Sequence, residues 1–145
     1  MPLLGTFKIK NNADVLTFII FDTGLTFAFA VRLTQGNGTS GTYLYAGDPV
    51  VFTNIITDIG QVYNPSNGYF TAPSHGLYQF SVSLTNYNSE DQALHVIAAG
   101  EMVCGASGQV SSYSYNYYYS GSCTTIVELY ANDVVYVVPT NNAYA

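Results

Sequence analysis

The stretch FTNIITDIGQVYNPSNGYFTAPSHGLYQF, residues 52–80, decides the fold. Five residues separate Phe52 from Asp58, four separate Asp58 from Tyr63, six separate Tyr63 from Phe70 and five separate Phe70 from Gly76. Gly76-Leu77-Tyr78-Gln79-Phe80 closes the run. No catalytic side chain takes part. Large rings, one acid and one glycine at set intervals describe a packed scaffold, so the pattern speaks to fold before function.

Outward from this stretch the period is that of strands. Tyr78, Phe80, Val82 and Leu84 alternate with Leu77, Gln79, Ser81 and Ser83, giving one apolar and one mostly polar face. Glycine and asparagine punctuate the chain at Gly36-Asn37-Gly38, Asn64 to Gly68, Asn86 to Asp91 and Asn132-Asp133. No window sustains a helical repeat. Many short strands between such turns predict an all-β sandwich or barrel. Val134 to Val138 is apolar at every position, which predicts a strand covered on both faces by sheet and subunit neighbours.

The spacing of Phe52, Asp58, Tyr63, Phe70, Gly76, Tyr78 and Phe80 resembles the signature of the globular head domain of complement C1q and its relatives. Phe29-Ala30-Val31-Arg32-Leu33-Thr34 is similar to that family's first strand. Asn67-Gly68-Tyr69-Phe70-Thr71-Ala72-Pro73 is similar to its Gly-x-Phe-x-x-Pro segment, and Asn132-Asp133-Val134-Val135-Tyr136-Val137 to its Gly-Asp-x-Val-x-Val strand. The likeness covers about residues 27 to 140. Val82 departs from it where many members carry a second aromatic, and the chain reaches Ala145 without the Phe-x-Gly-Phe-type final strand. The resemblance implies a ten-strand jelly roll, a homotrimer and a non-enzymatic role.

In such relatives the last strand pairs beside the first, mid-sheet, so its loss would leave two unpaired edges. Val15 to Phe21 is itself a strand-like apolar run, and Asp22-Thr23-Gly24 is a turn leading to Thr26–Leu33, a hairpin signal. We therefore expect residues 15–21 to fill the vacant place, as in a circular permutation. Residues 1–25 are then an N-terminal extension supplying that strand, and residues 26–145 the C1q-like domain. The plainer alternative is a fragment in which this segment is a degenerate leader or a relic. Residues 1–30 also mimic a signal peptide, with Ala28-Phe29-Ala30 as its cleavage site, but Asp14 and Asp22 bracket the apolar run and cleavage would split the first strand.

At 145 residues the chain is one domain, with 48% apolar residues and only 8% charged. Its three cations, Lys8, Lys10 and Arg32, precede residue 33, and the net charge is −6. Counterion release needs several cationic contacts, which argues against nucleic acid, and the same shortage argues against anionic lipid. No run of 18 apolar residues exists, so no membrane insertion is expected. Neutral partners or cations such as Ca²⁺ suit this charge, and some C1q relatives bind calcium. Glu90-Asp91 is an acid pair in a loop, with solvated charge as its ordinary reading and no EF-hand spacing around it.

Cys104 and Cys123 fit no zinc or redox spacing, leaving a disulfide or a pair of free buried thiols. Asn37-Gly38-Thr39 is a glycosylation sequon in a polar loop, whereas Pro65 blocks Asn64-Pro65-Ser66. His75, on a turn, and His95, within a strand, have no nucleophile or metal motif beside them and read as structural residues.

The most unusual local run is Ser111 to Ser120, where Tyr113, Tyr115, Tyr117 and Tyr119 alternate with Ser and Asn. Tyrosine among small hydrogen-bonding residues is the composition of binding paratopes. On an extended strand the four rings share one face, to stack on sugar rings or serve as a protein hot spot. The structural alternative is a core rim or trimer contact. The favoured expectation is a secreted, extracellular trimer that binds carbohydrate or protein patterns in innate immunity, like the short secreted C1q-domain proteins of invertebrates. The alternative is a trimeric ligand similar to tumour necrosis factor, or a scaffold, that binds a protein receptor.

Overall fold

The computed structural model describes residues 16–20, 27–33, 43–87, 92–108, 118–140 and 143–144. Twelve strands are described: β1 (Leu16–Ile20), β2 (Ala28–Arg32), β3 (Tyr43–Leu44), β4 (Asn54–Ile59), β5 (Tyr63–Asn64), β6 (Tyr69–Thr71), β7 (Gly76–Tyr87), β8 (Gln92–Ala98), β9 (Glu101–Gly108), β10 (Tyr118–Leu129), β11 (Val134–Pro139) and β12 (Ala143–Tyr144). Ten of them form two five-stranded sheets, ordered β10-β7-β1-β2-β4 and β5-β6-β11-β8-β9, while β3 and β12 pair separately. The fold is an all-β jelly-roll sandwich, and no helix occurs among the described residues.

β7 shows why the sheets face each other. Tyr78, Phe80, Val82 and Leu84 are buried, while Leu77 is exposed and Gln79, Ser81 and Ser83 are partly so, as a two-residue period on a one-sided sheet requires. Phe70 from the second sheet is the hub of the shared interior. Its ring stacks on Phe29 at 5.5 Å and meets Tyr78 and Phe80 edge-on at 5.5 and 5.4 Å. Phe52, Phe70, Tyr78 and Phe80 are each no more than 1% exposed. Gly76 opens β7 opposite Leu129.

Two buried phenols close loops onto this core. The Tyr63 hydroxyl accepts from the Phe52 amide at 2.8 Å and donates to the Phe52 carbonyl at 3.1 Å. The Tyr78 hydroxyl donates to the Ser74 carbonyl at 2.6 Å. Asp58 works at a third turn, where its Oδ1 accepts from the Val62 amide at 3.0 Å. Each framework polar group is thus paired with backbone, as buried polar groups must be.

β1 lies in the middle of its sheet. Thr17, Phe18, Ile19 and Ile20 pair antiparallel with Val31, Ala30, Phe29 and Ala28 of β2, and Leu16 to Ile20 pair with Ser83 to Gln79 of β7. The connection proposed at Asp22-Thr23-Gly24 lies outside the described residues. In β11 the single chain covers one face. Val135 and Val137 are buried, but Val134, Tyr136 and Val138 alternate with them at half-buried positions. On that outward face Tyr136 stacks on Tyr69.

Candidate recognition surfaces

β9 and β10 are edge strands of opposite sheets, and two local features bring them together. Cys104 of β9 and Cys123 of β10 form a disulfide, with their Cα atoms 6.0 Å apart. Two residues before Cys123, a Cβ on Gly121 would overlap the Ser107 carbonyl, so only glycine permits this approach. The sandwich is therefore stapled along one side. The tyrosine-rich run joins these two strands, since β9 ends at Gly108 and β10 begins at Tyr118.

Tyr113, Tyr115 and Tyr117 lie outside the described residues, as do Asn37 and the Glu90-Asp91 pair. Tyr119 sits in the backbone of β10, in register with Asn86. Among the described residues no three His, Cys, Asp or Glu side chains gather to hold a metal ion. Nor, among those residues, is any helix long and apolar enough to cross a membrane.

His75 and His95, read from the sequence as structural, lie apart, His75 in the bend before β7 and His95 in β8. The His75 Nε2 lies 2.8 Å from Glu128 Oε1, and its ring stacks on Tyr130 at 4.5 Å and 9°. Beside this group the outer face of β7 and β10 carries Leu77, opposite Glu128, and Ile126, opposite Gln79. Leu77, Ile126 and Tyr130 are 66%, 65% and 62% exposed. Ile126 and Gln79 continue in register through Ile20 and Ala28 to the exposed Ile59, one row across all five strands. Farther along the face the pattern turns polar, where the Ser81 and Thr124 hydroxyls hydrogen-bond each other. Sequence reasoning missed this cluster because its members lie far apart in the chain; the apolar Leu77 and Ile126 on otherwise polar faces were the available signal.

The described residues thus form a two-sheet jelly roll with one edge stapled by a disulfide. The chain belongs to the C1q domain family, whose model matches residues 28–145. It is similar to the globular domain of the zebrafish complement 1qA protein, with a TM-score of 0.59 and 14% identity over 87% of this chain and 83% of that one. It is also similar to the Eiger TNF from S. frugiperda, with a TM-score of 0.57 and 11% identity over 91% of this chain and 83% of that one. At these identities the likeness is one of fold. Domains of this family are generally non-enzymatic, typically extracellular, and commonly trimeric.

Proposed function

We propose that this chain is a secreted recognition protein that binds carbohydrate or protein patterns through a multivalent trimer and performs no catalysis. The observation that carries the reading is the placement of the Tyr/Ser run between β9 and β10, whose flanking strands the Cys104–Cys123 disulfide ties together. A segment of paratope-like composition anchored at both ends loses less entropy when it binds than a free one. The exposed Leu77, Ile126 and Ile59 on the outer face of the first sheet support burial against neighbouring subunits, since exposed apolar side chains gathered on one face mark interaction surfaces. Three linked sites then gain about 10²–10⁴ in avidity over one. β1, between β2 and β7, takes the place that relatives give their last strand.

A glycan array, run with and without Ca²⁺, tests the reading. Glycan binding by the wild type that a Tyr115→Ala, Tyr117→Ala variant loses while keeping its assembly supports it. A verified trimer that binds no glycan favours the second reading, a tumour-necrosis-factor-like ligand or scaffold. That reading shares the fold and the subunit contact, and differs in having a protein receptor as partner.

A further inference from the structure

The outer face of the second sheet carries a second row. Asn64 of β5 pairs with Tyr69 of β6, and Tyr69 continues the β6–β11 register to Tyr136. Tyr136 pairs with Ile97 of β8, and Ile97 with Met102 of β9. These residues alternate with the buried Phe70, Val135, Val96 and Ala98, so the row faces outward. At strand spacings near 4.8 Å it extends roughly 19 Å.

The chemistry of this row is consistent along its length. Tyr69 and Tyr136 stack with centroids 5.0 Å apart and planes at 25°. Ile97 is half-buried beside them, and Met102 is 57% exposed. One row away, His95 lies over Gly105, where an added Cβ would come within 3.2 Å of its Cδ2. At the β5–β6 end stand two exposed amides. Asn64 Oδ1 accepts from Ser66 N and Asn67 Oδ1 from Tyr69 N, which orients both carboxamides and leaves their NH₂ groups to donate. Thr71 adds a hydroxyl on the same strand as Tyr69.

None of the outward positions of β5, β6, β11 and β8 carries Asp, Glu, Lys or Arg, although the chain as a whole bears a net charge of −6. An uncharged aromatic-aliphatic band with neutral donors at its end matches an uncharged ligand with apolar faces and many hydroxyls. Across β5, β6, β11 and β8 a protein partner would meet no charge to fix its register, the exposed Glu101 of β9 being a charged neighbour at the Met102 end. We propose that the Tyr69–Tyr136–Ile97–Met102 row is a platform for a neutral oligosaccharide, its pyranose C–H faces lying on the tyrosines and its hydroxyls meeting Asn64 and Asn67. The proposal rests on the recognition reading above and names a site for it.

The chain contains two methionines, Met1 and Met102, so methyl-¹³C methionine labelling reports on the platform without any substitution. The probes are neutral trisaccharides of glucose, mannose, galactose and N-acetylglucosamine, with a sialylated trisaccharide as charged control. The full chain is titrated with whichever neutral probes bind by calorimetry. The Met102 methyl signal is expected to move in step with occupancy, and a Tyr136→Ala variant with an unchanged melting curve to bind about tenfold more weakly. A stationary Met102 signal under a saturating bound probe would overturn the platform and leave glycan recognition standing, as would a folded Tyr136→Ala protein of wild-type affinity. Absence of binding to every probe, on a chain of verified assembly, would overturn the platform together with the lectin reading. Preference for the sialylated control would contradict the uncharged ligand.

Discussion

The Tyr63 hydroxyl holds both backbone groups of Phe52, eleven residues away in sequence. Burial pushes its phenol from 10.0 up to about 12, with the Phe52 hydrogen bond offsetting part of the rise. A raised folded-state value means the neutral phenol is favoured on folding. That contribution is complete below pH 10 and is lost as pH climbs through 12. Tyr63→Phe strands the buried Phe52 amide and is expected to cost about 1–3 kcal/mol in urea unfolding. The variant should also lose less stability than wild type between pH 10 and 12. The spacing from Phe52 to Phe80 made these residues legible as framework, because its rings meet in the interior around Phe70. The spacing could not show that Tyr63 serves Phe52 through its hydroxyl. That partner is set by how the segment before β4 passes β5.

At the scale of elements, β1 carries the most consequence, since it is hydrogen-bonded on both sides. Proline in a central strand removes a ladder bond and meets the neighbouring backbone. Phe18→Pro is expected to cost about 3 kcal/mol or more and to drive the chain into the insoluble fraction, measured by expression and thermal melting. Soluble, fully stable Phe18→Pro protein would show that the sheet does not need this strand. Reducing the Cys104–Cys123 disulfide is expected to cost roughly 3 kcal/mol, read as a lower melting temperature in dithiothreitol. The β1–β2 pairing was legible because two apolar runs follow one another closely in the chain. In β11 the all-apolar run marks one core face, while the cover expected on its other face depends on a neighbouring subunit. The tyrosine run was legible as composition only; its anchoring depends on Cys104, Gly121 and Ser107, which the fold brings together.

At the scale of the whole molecule, the proposed assembly buries the exposed apolar residues on the outer face of the first sheet. Leu77 and Ile126 contribute little to the monomer's interior, so the Leu77→Glu, Ile126→Glu double variant should fold normally and fail to assemble. The avidity on which weak recognition sites rely would vanish with it. Multi-angle light scattering of the full chain at micromolar concentration tests this most directly. The account predicts one species of three times the chain mass, falling to a single chain mass in the double variant. A monodisperse wild-type monomer would contradict it.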